Sequence, residues 1–115
     1  MLKETKLALR VSTAAYDDEI ISLIRAGVQD LQIAGVNANG EAKFATVTDD
    51  DGVSSIEDRS TINDPLVQRA IITYVRCHFG SPEDYERLAA SYDEQKAQLS
   101  MATRYTDWGE NDEEG

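Results

Sequence analysis

The chain has 115 residues, enough for one compact domain, and carries 22 acidic residues against 11 basic ones for a formal net charge of -11. Such an excess repels nucleic-acid phosphates and anionic membranes unless the basic residues gather on one face, and here they are scattered singly along the sequence. One cysteine permits no internal disulfide, no leader-like stretch opens the chain, and no apolar run approaches the ~20 residues that cross a bilayer, so a soluble intracellular protein is expected.

The stretch "LKETKLALRV" has Leu2, Leu7 and Leu9 as its apolar points and predicts a brief helix docked on something larger. From about Ala14 to Ala34 the periodicity is clearest. Ile20, Leu23, Ile24, Gly27, Val28, Leu31 and Ala34 fall in one arc at about 100° per residue, and Ser22, Arg25, Gln29 and Gln32 take the other side. Thr13 suits the N-cap, Asp17, Asp18 and Glu19 suit the positive end of the helix dipole, and Gly35 marks the stop.

Some 28 residues follow, Val36 to Asn63, too many for an ordinary connection in a compact domain. Within them "KFATVT" and "VSSI" flank "DDDG", which predicts two short strands about a turn, a hairpin protruding from the body.

A third helix is expected from Pro65 to Phe79, with Asp64 as N-cap, proline at the first helical position and Gly80 as the left-handed stop. Its apolar residues cover about two-thirds of the circumference, and Arg69, Thr73 and Arg76 line the polar strip. A helix apolar nearly all round needs partners on more than one side. In so small a domain a second subunit is a candidate partner, and Ile72, Val75 and Phe79 are the residues expected at that interface.

The fourth helix opens at "SPED", with Ser81 as cap, Pro82 at the first helical position and Asp84 completing a variant of the capping box. Tyr85, Leu88, Ala89, Tyr92 and Leu99 form a narrow apolar stripe, and Glu83 precedes Arg87 in the favourable order. The helix should reach about Ala102. The fold class is thus mainly α, a bundle of about four helices spanning residues 1–103 with a long loop or β-hairpin at 36–63. A nonperiodic tail, 104–115, carries Tyr105 and Trp108 as aromatic anchors.

Cys77 and His78 adjoin, but neighbours on a helix point about 100° apart and cannot face each other as nucleophile and base. His78 falls in line with Val67, Ile71 and Tyr74, which predicts a packed side chain, and Cys77 reads as a small buried hydrophobe. One Cys and one His leave a zinc site short of ligands. Aligning Gly52 with the sixth position of a calcium loop puts Asp49 and Asp51 at the third and fifth, but Val47 at the first and Asp58 where a bidentate Glu is wanted, so a solvated turn is favoured. Paired carboxylates are no signal in so acidic a chain. The sequence holds no Gly-rich phosphate loop and no Ser-His-Asp arrangement, and neither enzyme activity nor a cofactor is expected.

The run "INDPLVQRAIITYVRCHFGSPEDYERLAASYDEQKAQLS" and the opening "LALRVSTAAYDDEIISLIRAGVQDLQIAGV" resemble the head-tail connector, or adaptor, proteins of long-tailed bacteriophages and related prophages. Between these runs the chain is longer than shorter members of that family, over Asn37 to Thr61. The resemblance implies a small helical bundle assembled as a ring, typically of twelve subunits, beneath the portal of the capsid. It also implies a channel through which DNA passes without specific binding, a stopper or tail-completion protein below, and a place in the virion neck after assembly in the bacterial cytoplasm. It carries no catalytic residues, and it makes the portal the partner expected for Tyr105 and Trp108. Excess negative charge suits a channel wall that a polyanion must slide past. An acidic DNA mimic and an antitoxin-like regulatory module are the alternatives from other classes.

Overall fold

A computed structural model describes residues 1–102. The elements run α1 (Leu2–Leu9), a 3-10 turn (Ala14–Tyr16), α2 (Asp17–Ile33), β1 (Phe44–Thr48), β2 (Ser54–Asp58), α3 (Pro65–His78) and α4 (Tyr85–Met101). The architecture is mainly helical, four helices with a two-stranded antiparallel hairpin between the second and third.

Local chemistry sets the boundaries. Asp64 caps α3, its Oδ1 accepting from the Leu66 and Val67 amides at 2.9 and 3.3 Å. At the end of α2, Gly35 adopts φ 90° and the Val36 amide returns to the Leu31 carbonyl at 2.9 Å, a left-handed stop that sends Val36 into the core. Thr13 caps the 3-10 turn, accepting from the Ala15 amide, so α2 begins at Asp17 and not at Ala14. The start of α4 is also later than "SPED" predicts. Tyr85 is its first residue, Asp84 pairs with Arg87 across the first turn, and Ser81 and Pro82 lie outside the helix.

The core is a single cluster in which α3 is the central helix, touched by α1, α2 and α4. Its residues Val67, Ala70, Ile71 and Val75 are fully enclosed, against Ile20, Ile24 and Leu31 from α2 and Leu88, Tyr92 and Leu99 from α4. Three partners within one chain therefore account for the broad apolar surface of α3, and Val75, expected at a subunit interface, is interior. Thr73, expected in the polar strip, is also buried, because its hydroxyl donates to the Arg69 carbonyl at 2.9 Å and needs no water. Leu66, expected in the apolar arc, is exposed.

Gly27 is buried where α2 meets α3, and a Cβ there would stand 3.1 Å from Tyr74 Cδ1, so its missing side chain sets how closely the helices approach. The hairpin pairs Phe44 with Asp58, Thr46 with Ile56 and Thr48 with Ser54. Its legs are not loose. Val36, Ala38 and Ile62 belong to the core, and Gly40 lies so close to the Thr61–Ile62 backbone that a Cβ would come within 2.6 Å of the Thr61 carbonyl oxygen.

Candidate assembly surfaces

Directly paired residues of an antiparallel ladder share a face, so the register divides the hairpin into two unlike sides. Phe44 and Ile56 lie on the inner side, half-buried against the body, with the Arg25 guanidinium 5.8 Å from the Phe44 ring. Ala45, Val47 and Ser55 lie on the outer side, joined beyond the ladder by Val53, whose carbonyl accepts from the Asp49 amide. Val47 and Val53 are 42% and 59% exposed. At the tip, Asp49 Oδ1 accepts from the Asp51 and Val53 amides, both at 2.9 Å, and Gly52 adopts φ 79°. The triple aspartate is a self-bonded turn, and among the described residues no group of His, Cys, Asp or Glu is arranged to hold a metal ion.

The base of β2 is fastened to α1. Asp58 Oδ2 accepts from the Met1 ammonium and from the Leu2 amide, each at 2.7 Å, while Oδ1 takes the Ser60 amide. Burial alone would raise the Asp58 carboxyl, but these donors outweigh it and hold the group at about 2. Lys6 pairs with Asp17 at 2.7 Å and so ties α1 to the start of α2. Between α1 and the hairpin lies a groove of about 400 Å³, lined by Leu2, Leu7, Val11 and Ile56 with Lys3 and Lys6 on its edge. Leu7 is 69% exposed.

On the opposite flank, Asp30 of α2 accepts from the Tyr92 hydroxyl at 2.5 Å and the Lys96 ammonium at 3.1 Å, both on α4. Burial would raise the Asp30 carboxyl, and the two donors bring it below its ordinary value. Burial and the Asp30 charge push the Tyr92 hydroxyl up. The Tyr92 ring stacks edge-on with Tyr74, and Tyr74 lies 4.4 Å from the His78 ring.

His78 is exposed rather than packed in the core. Periodicity puts it in line with Val67 and Ile71, but it is the last residue of α3, and its ring lies there against Tyr74 and against Tyr85, itself an exposed residue at the start of α4. Cys77 is buried and its thiol is pushed up by that burial and by Asp93, as befits a packed hydrophobe. Ile72 and Phe79 are half-buried, seven residues apart and hence nearly in line along α3, with Phe79 edge-on to Tyr16 at 5.5 Å. Val75 sits between them in sequence but about 60° round the helix, which turns it inward. Tyr105 and Trp108 lie outside the described residues.

The α1 groove and the two carboxylate anchors, Asp58 and Asp30, were not foreseen from sequence. Lone aspartates in an acidic chain carry no signal of their partners. The concentration of Lys3, Lys6 and Arg10 in the first ten residues was the available clue to the groove.

No curated protein and no solved structure matches the chain. A family model does, that of the phage connector protein, and it runs over residues 1–106, through all four helices and the hairpin. The chain therefore belongs to the phage connector protein family, whose role is structural.

Proposed function

We propose that the protein is a virion component forming a homo-oligomeric ring between the portal and the tail or stopper of a long-tailed bacteriophage, where it extends the DNA channel. The observation that carries this reading is the family match across 1–106, because it takes in the whole bundle and not one helix of it. The excess of acidic residues supports a channel that passes a polyanion without holding it. Ile72 and Phe79 at the rim of α3 supply apolar area to a neighbouring subunit, and Tyr105 and Trp108 of the carboxy-terminal arm anchor the portal. Twelve copies are proposed from the resemblance to the adaptor proteins.

The direct test is addition of the purified full chain to portal-bearing, tailless capsids, followed by gradient separation and negative-stain microscopy. Rings seated at the portal vertex, with twelve subunits by native mass spectrometry, are expected. Capsids that leave the gradient without the protein would overturn the reading.

A further inference from the structure

Two surfaces on opposite sides of the hairpin are complementary in both apolarity and charge. The outer face at the tip presents Val47 and Val53 beside Asp50 and Asp51. The groove beside α1 presents Leu7 and Val11, with the Lys3 ammonium at its edge. Of the two edge lysines, Lys6 is engaged by Asp17, whereas Lys3 is exposed and makes no ion pair among the described residues. Residues 1–10 hold three basic side chains and one acidic one, in a chain with twice as many acids as bases. The tip, 47–53, holds three aspartates and no base.

A lone two-stranded hairpin is marginal in water, and this one leaves its outer apolar pair uncovered in the single chain. The two surfaces are unlike, so a contact between them is head-to-tail and repeats from copy to copy, closing to a ring when the rotation allows. We infer that the hairpin tip of one subunit docks in the α1 groove of the next. Val47 and Val53 then cover Leu7 and Val11, and Asp50 or Asp51 faces Lys3. This rests on the proposed ring and names its subunit contact.

The test uses the full chain in three forms: wild type, a tip variant (Val47→Ser with Val53→Ser) and a groove variant (Leu7→Ser with Lys3→Glu). All the changed residues are exposed, and circular dichroism verifies the fold. Sedimentation velocity should show the ring for wild type and its loss to monomer for each variant alone. An equimolar mixture of the two variants should give a dimer, because the intact tip of one meets the intact groove of the other.

A second arm reads weaker contacts. Chains carrying Leu7→Cys and chains carrying Val53→Cys, mixed and oxidised, should yield a 7–53 disulfide identified by mass spectrometry, with no such product from either chain alone. Rings formed by both variants as readily as by wild type would overturn this contact and leave the ring itself standing. A wild type that stays monomeric at every concentration, with no cross-link in the mixture, would overturn both.

Discussion

The Met1 ammonium and the Asp58 carboxylate meet at 2.7 Å across 57 residues of sequence, joining the first turn of α1 to the last residue of β2. The same carboxylate takes the Leu2 amide, so the lower end of the hairpin and the start of the chain form one unit.

A definite dependence on pH follows. Asp58 is held at about 2 against an ordinary 3.8, so it binds its proton more weakly folded than unfolded. Its stabilising contribution is full above pH 3.8 and is lost as the pH falls towards 2. The ammonium moves the other way: burial lowers it, hydrogen bonds from its protons to Asp58 and Glu4 raise it more, and it ends above 8.0. That contribution is present below pH 8.0 and fades as the pH climbs through the raised value. Urea midpoints for wild type and Asp58→Asn should therefore differ most between about pH 4 and 8, converge as the pH falls towards 2, and draw closer without meeting above pH 8, because the Leu2 and Ser60 amides still donate to the carboxylate. A constant difference across the range would mean that the pair does not act as an ionic clamp.

Gly40→Ala should loosen the root of the hairpin. The added methyl would meet the Thr61 carbonyl and the Ile62 Cα, both backbone atoms that cannot rotate aside. A loss of ~1 to 3 kcal/mol is expected, the range of overpacked sites. Amide hydrogen exchange should speed up at Thr61, whose N–H donates to the Glu41 carbonyl, and at Glu41, whose N–H donates to the Thr61 hydroxyl oxygen. Unchanged exchange there, whatever the stability, would contradict the tight approach.

The bond from Tyr92 to Asp30 can be weighed by a double-mutant cycle. Tyr92→Phe removes the donor and leaves Asp30 with Lys96, whereas Asp30→Ala strands a hydroxyl on a buried ring. The second change should cost more, ~1 to 3 kcal/mol, because an unpaired buried polar group keeps its desolvation penalty. A coupling of ~0.5 kcal/mol or more is expected between the two sites. Strictly additive effects would show that the contact contributes nothing to the docking of α4 on α2.

Much of this architecture is legible in the sequence because its signals are local. Asp64-Pro65 and Gly80 bracket α3, Gly35 stops α2, and "DDDG" makes the turn between the strands, each from a rule acting within a few residues. Properties that depend on what lies opposite are not legible in this way. Thr73 reads as polar until its own backbone satisfies it. His78 reads as apolar-face, but it is the last residue of α3 and its neighbour Tyr85 is itself exposed, so it stays at the rim. Val75 and Ile72 read alike, and only the three-sided packing of α3 separates them. The assembly surfaces are the extreme case, since the groove beside α1 joins residues of the first helix and the turn after it to Ile56 and Asp58 of the hairpin, with all of α2 between them in sequence.

That separation gives the sharpest contrast between folding and assembly. Val75 is fully enclosed, so Val75→Ala removes two methyl groups from a packed core and should lower stability by ~1 to 3 kcal/mol, with a correspondingly lower midpoint in urea. The ring should still form at temperatures where the variant is folded, because nothing on its surface has changed. Ile72 is half-buried at the rim, and Ile72→Asp should act in the opposite sense. A charge there can reach water in the isolated subunit, so the midpoint should fall by less than that of Val75→Ala. In the ring the same carboxylate would be enclosed against a neighbour with no partner, a penalty of several kcal/mol per interface that should abolish the oligomer. Sedimentation velocity beside urea unfolding reads both quantities on the same samples. If Ile72→Asp assembles like wild type, the rim of α3 lies outside the subunit contact, which then rests on the hairpin and the α1 groove alone.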